Sequence, residues 1–101
     1  KFLKIANRIL TNCCKHKHGY LFMEPVDPVK LNIPDYFNIV KRPMCFNVIK
    51  TKLANNAYDS HSNFVEDMLL VLDNCILYNG TENVVGKAAL ELKFDLNNMI
   101  K

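Results

Sequence analysis

Apolar residues recur at helical spacing over most of the chain. In residues 2–14 they fall at Phe2/Leu3, Ala6, Ile9/Leu10 and Cys13, the spacing of one buried helix face. The basic run Lys15-His16-Lys17-His18 and then Gly19 follow. Both suit a helix C-terminus, where cations meet the negative end of the dipole. Residues 46–54 predict a short helix with Phe46, Ile49 and Leu53 on one face and a stop at Asn55-Asn56. Ser60 is a good N-cap for a helix from 61 to about 78, whose stripe is Phe64, Met68, Val71/Leu72 and Cys75. Asn79-Gly80 reads as a turn. Thr81 or Asn83 then caps a last helix with Val85, Ala88/Ala89, Leu92, Leu96 and Met99/Ile100 inward.

Residues 19–44 break this rhythm. All four prolines (Pro25, Pro28, Pro34, Pro43) fall here, and each removes a backbone donor and disfavours helix in the residue before it. Only a short helical turn over 35–40, with Pro34 at its start, fits between them. The stretch is rich in Leu, Ile, Val, Phe and Tyr, so it must fold back onto the helices rather than act as a polar linker. The pattern predicts an all-α domain: an up-down-up-down four-helix bundle with a long apolar loop between the first and second helices and short later connections. No segment reads as a strand, a repeat or a low-complexity tract.

Continuing the Phe64–Cys75 stripe by one turn lands on Asn79, an amide on an otherwise apolar face at the mouth of the bundle. Two readings stand. Asn before Gly is a common helix stop. Alternatively, the long loop arches over Asn79 and makes an apolar pocket with one amide at its floor. Such a pocket suits a neutral ligand with a carbonyl at the end of an apolar stem. A cation would have to leave water with no carboxylate to meet it.

Composition narrows the class. With 101 residues, half of them apolar, the chain is one globular domain. It has neither an apolar run of about 18–20 residues to span a bilayer nor a signal-peptide pattern. Because it begins at Lys1, it reads as a piece of a longer protein. The net charge of +3 is uneven: residues 1–23 hold Lys1, Lys4, Arg8, Lys15 and Lys17 with no acid, and the remainder sums to −2. That basic end supports either a solvated helix face or a nucleic-acid contact. Three of the four cysteines (Cys13, Cys14, Cys45, Cys75) sit at apolar helical positions, and adjacent Cys13-Cys14 cannot easily bridge. Free thiols point to a reducing compartment, cytosol or nucleus.

The order of motifs adds a resemblance. Tyr20-Leu21-Phe22-Met23-Glu24-Pro25-Val26-Asp27, then Leu31-Asn32-Ile33-Pro34-Asp35-Tyr36-Phe37 with Val40-Lys41-Arg42-Pro43-Met44, then Phe64-Val65-Glu66-Asp67-Met68, then Asp73-Asn74-Cys75-Ile76-Leu77-Tyr78-Asn79 together resemble a bromodomain over essentially the whole chain. The resemblance implies a left-handed four-helix bundle that binds acetyl-lysine, and a nuclear, chromatin-associated reader of acetylated histone tails that is monomeric as an isolated domain and needs no cofactor. Carried over by position, Asn79 donates to the acetyl oxygen and Tyr36 reaches it through a water. Phe22 packs on the acetyl methyl. Pro25, Val26 and Leu31 line the loop side, while Cys75 and Tyr78 line the helix side. Val85 is the gatekeeper, with Val84 in its place if the register slips by one. Tyr20-Leu21 stands where the family has Trp-Pro in its shelf, a smaller plate on a looser loop. Cys45 stands where the family usually has Asp after Pro-Met, which removes a helix cap worth about 1 kcal/mol. Glu24, Asp27, Asp35 and Glu82 are candidates for the pocket mouth.

Other chemistries fit poorly. Structural zinc wants cysteine pairs two to four residues apart and a second pair beyond, which Cys13-Cys14-Lys15-His16-Lys17-His18 does not supply, so no metal site is expected. A cysteine nucleophile needs a positioned base, and His16, His18 and His61 fall at other helix ends than Cys75, so no catalytic residue is expected. The alternative from another class is a nucleic-acid-binding helical module using the basic first helix. The same helix could also serve as an auxiliary DNA contact.

Overall fold

The computed structural model describes residues 2–101. Lys1, counted above in the basic end, lies outside the described residues. Four longer helices and one short one account for the regular structure: α1 (Leu3–Lys15), α2 (Tyr36–Ile39), α3 (Phe46–Ala54), α4 (His61–Asn79) and α5 (Val84–Ile100), with a 3-10 turn at Gly19–Phe22. Among the described residues there is no strand. Among the described residues no helix is long and apolar enough to cross a membrane.

The helix boundaries follow local chemistry. Ser60 Oγ accepts from the Asn63 N–H at 3.2 Å and starts α4. Asn83 Oδ1 accepts from the Val85 N–H at 2.8 Å, so Asn83 and not Thr81 caps α5. Cys45 occupies the N-cap of α3 and makes no side-chain cap bond, as a thiol in place of a carboxylate requires. Gly80 ends α4 with φ 81° and ψ 174°, a region that only glycine occupies at low cost. Asn79 is therefore the last helical residue, one beyond the expected end at 78.

Cys75 Sγ lies 3.6 Å from the Val85 carbonyl and Lys93 Nζ lies 2.7 Å from Asp73, so α4 and α5 run antiparallel. Cys13 lies 3.9 Å from Met99 Sδ and His16 lies 2.7 Å from Asp95, so α1 is also antiparallel to α5. The core fills the space between them. Ala6, Ile9, Leu10 and Cys13 come from α1; Phe46, Ile49 and Leu53 from α3; Phe64, Met68, Val71, Leu72 and Cys75 from α4; Ala89, Leu92 and Leu96 from α5. Each fully buried large side chain contributes about 1.5–3 kcal/mol of transfer free energy. The core holds one buried carboxylate, Asp67, which accepts from Tyr58 Oη at 2.6 Å and Lys52 Nζ at 2.7 Å. Burial, then the bond to Asp67, pushes the Tyr58 phenol well above its ordinary range.

The long connection is held down at several points. Phe22 is buried edge-on to Phe46, with ring centroids 6.1 Å apart. Asn47 of α3 donates its backbone N–H to the Met23 carbonyl at 3.0 Å. Asp27 Oδ1 caps the turn that follows, accepting from the N–H groups of Val29 and Lys30. Buried Asn74 of α4 donates to the Arg42 carbonyl at 2.8 Å and fixes the far end. A loop anchored at both ends and in the middle forms the wall of a cavity.

Candidate functional site

At the end of the bundle that carries the α4–α5 turn, the loop and the helices enclose an open cavity of about 500 Å³. Its loop wall is Tyr20, Leu21, Phe22, Glu24, Val26, Leu31, Ile33, Tyr36 and Met44; its helix wall is Val71, Cys75, Tyr78, Asn79 and Val85. Of the residues expected in the pocket, Asn79, Tyr36, Phe22, Val26, Leu31, Cys75, Tyr78, Val85, Tyr20 and Leu21 line this one cavity. Val85, and not Val84, faces it; Val84 is exposed on the outer side. Pro25 does not line it. Glu24 and Val26 line it, while Pro25 between them is exposed.

Asn79 sits at the C-terminal end of α4, half-buried, with its amide tethered. Nδ2 donates to the Cys75 carbonyl at 3.0 Å and approaches Cys75 Sγ at 3.5 Å. A primary amide has two N–H donors and one acceptor. Pinning one N–H to the preceding turn fixes the orientation of the other. Gly86 at the start of α5 packs against the turn that follows: a Cβ there would collide with the Gly80 carbonyl oxygen and lie 2.9 Å from its carbon and 3.8 Å from Asn79 Cβ. The position of Asn79 thus depends on glycine at two places.

Tyr36, from α2, is buried, its ring 5.1 Å from that of Tyr78 and 5.5 Å from that of Phe37. Tyr78 Oη donates to Asp35 at 2.6 Å, which clips α2 to α4 beside Asn79. Burial raises the Tyr36 phenol above its ordinary value and keeps it a neutral donor. Burial also raises the Cys75 thiol, against a smaller opposing effect from the Asn79 amide, so it is a neutral wall group and not a thiolate.

Glu24, one of the four acids that are candidates for the pocket mouth, lines the cavity at its exposed rim, where its Oε2 accepts from Asn47 at 2.8 Å. The deeper residues Phe22, Tyr36, Val71, Cys75 and Asn79 carry no charge, so the floor has nothing to receive a cation. Ile33, Met44 and Val71 also line the cavity and were not singled out from the sequence. Val71 lies one turn before Cys75 on the same stripe and Met44 ends the Arg-Pro-Met motif, so the spacing held a signal for both. The lining contains no histidine.

The basic end of the chain is partly neutralised. Lys17 lies 2.9 Å from Glu91 Oε2, His18 lies 3.0 Å from Oε1 of the same residue, and His16 lies 2.7 Å from Asp95. These pairs remove part of the field that a phosphate backbone would meet.

Comparison with known proteins agrees with this geometry. A family model described as Bromodomain matches residues 6–91. The chain is 44% identical over 79 residues to the Arabidopsis thaliana protein named Transcription factor GTE3, chloroplastic, covering 78% of the chain and 17% of that protein. It is 44% identical over 98 residues to the SWR1 complex bromodomain subunit bdf1 of Schizosaccharomyces pombe, covering 97% of the chain and 17% of that protein. A solved structure, the second bromodomain of Candida albicans Bdf1 bound to an imidazopyridine, superposes with a TM-score of 0.89 at 36% identity, covering 96% of this chain and 94% of that one. The chain therefore spans under a fifth of the length of these curated relatives.

Proposed function

The chain belongs to the bromodomain family, and from that membership and the pocket we propose that it binds acetylated lysine in histone tails as a non-catalytic module of a longer nuclear, chromatin-associated protein. The observation that carries the reading is the tethered amide of Asn79 in the uncharged depth of a 500 Å³ cavity whose walls are otherwise mostly apolar or aromatic. The acetyl group brings one carbonyl acceptor and one methyl. The second N–H of Asn79 donates to the carbonyl. Tyr36, kept neutral by burial, donates to it through a bridging water. Phe22 meets the methyl. The four-carbon stem runs out past Val85 and Leu31, over the Tyr20-Leu21 rim.

Selectivity against unmodified lysine follows from charge. An ammonium at the floor would lose its hydration and gain no anion, and the cost of burying an unpaired charge far exceeds that of a neutral amide. Glu24 at the rim can attract basic flanking residues of a histone tail while leaving the floor neutral. A single acetyl-lysine buries little area, so the affinity is weak, and a second mark or a neighbouring domain raises it by avidity. A peptide array of histone tails, with acetylated and unmodified versions side by side, tests the reading: acetylated spots bind and their unmodified partners do not. Equal binding to both would refute it.

A further inference from the structure

Away from the acetyl-lysine pocket, two histidines at the end of α1 meet two carboxylates on α5. Glu91 and Asp95 are four residues apart and share one helix face. His16 and His18 are two apart in the turn that follows Lys15. Ligand atoms of His16, Glu91 and Asp95 all lie within 4.8 Å of one another. His16 Nε2 is 2.7 Å from Asp95 Oδ2, and His18 Nε2 is 3.0 Å from Glu91 Oε1, with the two imidazole centroids 5.4 Å apart. We propose that His16, Glu91 and Asp95 form a binding site for a divalent transition ion of the zinc type, with His18, which already reaches Glu91, swinging in as the fourth ligand.

The donor set fits the ion. Two neutral imidazoles and two carboxylates are ligands that Zn²⁺ takes, and their charge of −2 balances it. In a tetrahedral zinc site with bonds of about 2.0–2.1 Å, neighbouring ligand atoms stand roughly 3.3 Å apart. The 2.7 Å His16–Asp95 contact must open slightly to reach that spacing, and the widest separation among His16, Glu91 and Asp95 must close by up to about 1.5 Å. Side-chain rotation supplies both, and also the turn of His18 from Glu91 toward the ion. Lys17 engages Oε2, so Oε1 is free to exchange His18 for the metal while the second oxygen keeps its partner.

The metal-free state is self-satisfied. The His18 backbone N–H donates to His16 Nδ1 at 3.1 Å, so Nδ1 is the unprotonated nitrogen and Nε2 carries the hydrogen given to Asp95. Metal binding at Nε2 shifts that hydrogen to Nδ1, with no net proton lost from the ring, and turns the His18 N–H to solvent. The cluster therefore exchanges its internal hydrogen bonds for metal bonds, closing α1 onto α5 beside the wall that bears Tyr20 and Leu21. The four cysteines take no part, so the site differs from the thiolate arrangement considered and set aside from the sequence.

The test is a calorimetric titration of the chain with Zn²⁺, together with Glu91→Gln, Asp95→Asn and His16→Gln. The expected result is one ion per chain, affinity weakened by roughly 10–100-fold or more in each variant, and a rise in Tm with zinc that the variants lose. Co²⁺ in place of Zn²⁺ should give visible ligand-field bands without thiolate charge transfer. Variants whose metal-free Tm matches the parent exclude misfolding as the cause; if one falls, the comparison rests on those that do not. Binding unchanged across the variants, a thiolate band, or no saturable binding would overturn the proposal.

Discussion

Gly86→Ala tests how the start of α5 sets the anchor. A methyl at this position gains helix propensity of about 1 kcal/mol, because alanine loses less backbone entropy than glycine. It also points at the Gly80 carbonyl, where it would collide with the oxygen and stand 2.9 Å from the carbon. Both partners are backbone, one in the first turn of a helix and the other in a turn whose φ of 81° is already restrictive, so neither can swing aside as a side chain would. Overpacking of this kind costs about 1–3 kcal/mol, and a backbone collision belongs at the upper end. The net loss is then about 2 kcal/mol, which lowers Tm by roughly 8–16 °C in a domain of this size. The turn must move, and Asn79 moves with it. A polar contact held to within about 0.5 Å of its productive geometry weakens when displaced further, so acetyl-peptide affinity falls as well. Thermal unfolding followed by circular dichroism and a calorimetric titration with acetylated peptide measure the two effects. A variant as stable as the parent and equal to it in affinity would refute the argument, since propensity would then have outweighed packing.

Two further substitutions separate stability from binding. Tyr58→Phe leaves Asp67 with Lys52 alone and costs about 1–3 kcal/mol in chemical denaturation, with peptide affinity unchanged because the network is remote from the pocket. The folded chain also keeps the Tyr58 proton where the unfolded chain releases it, so stability declines as pH rises above about 10, and that decline should be shallower in the variant. Tyr78→Phe does the reverse: it releases Asp35 and with it the clip on α2, lowering acetyl-peptide affinity while shifting Tm little, since the lost bond is exposed.

Much of the architecture was legible because periodic burial decides it. The Phe46, Ile49, Leu53 face returned a helix over the expected residues, and the Phe64–Cys75 stripe pointed one turn further to Asn79, which is where α4 ends and the cavity begins. Spacing put Asn79 on the inward face of α4, while the pocket places of Tyr78 and Val85 rested on the family resemblance. Loop residues had no such support from spacing, because an irregular chain has no fixed period. Pro25 was expected inward with its neighbours and faces solvent, while Ile33 and Met44 line the cavity unannounced. The close approach of Gly86 to the Gly80 carbonyl is a contact across the α4–α5 turn that no local pattern shows. The His16–Asp95 and His18–Glu91 pairs join residues more than seventy positions apart, and only the antiparallel packing of α1 on α5 brings them together.

The central claim is that the Asn79 amide anchors an acetylated lysine. Titration of the chain and of Asn79→Ala with one acetylated histone peptide and its unmodified counterpart tests it most directly. The account predicts that the parent binds only the acetylated peptide and that the variant loses about 1–3 kcal/mol of that binding while unfolding at nearly the same temperature. An Asn79→Ala chain that binds the acetylated peptide as tightly as the parent would contradict it.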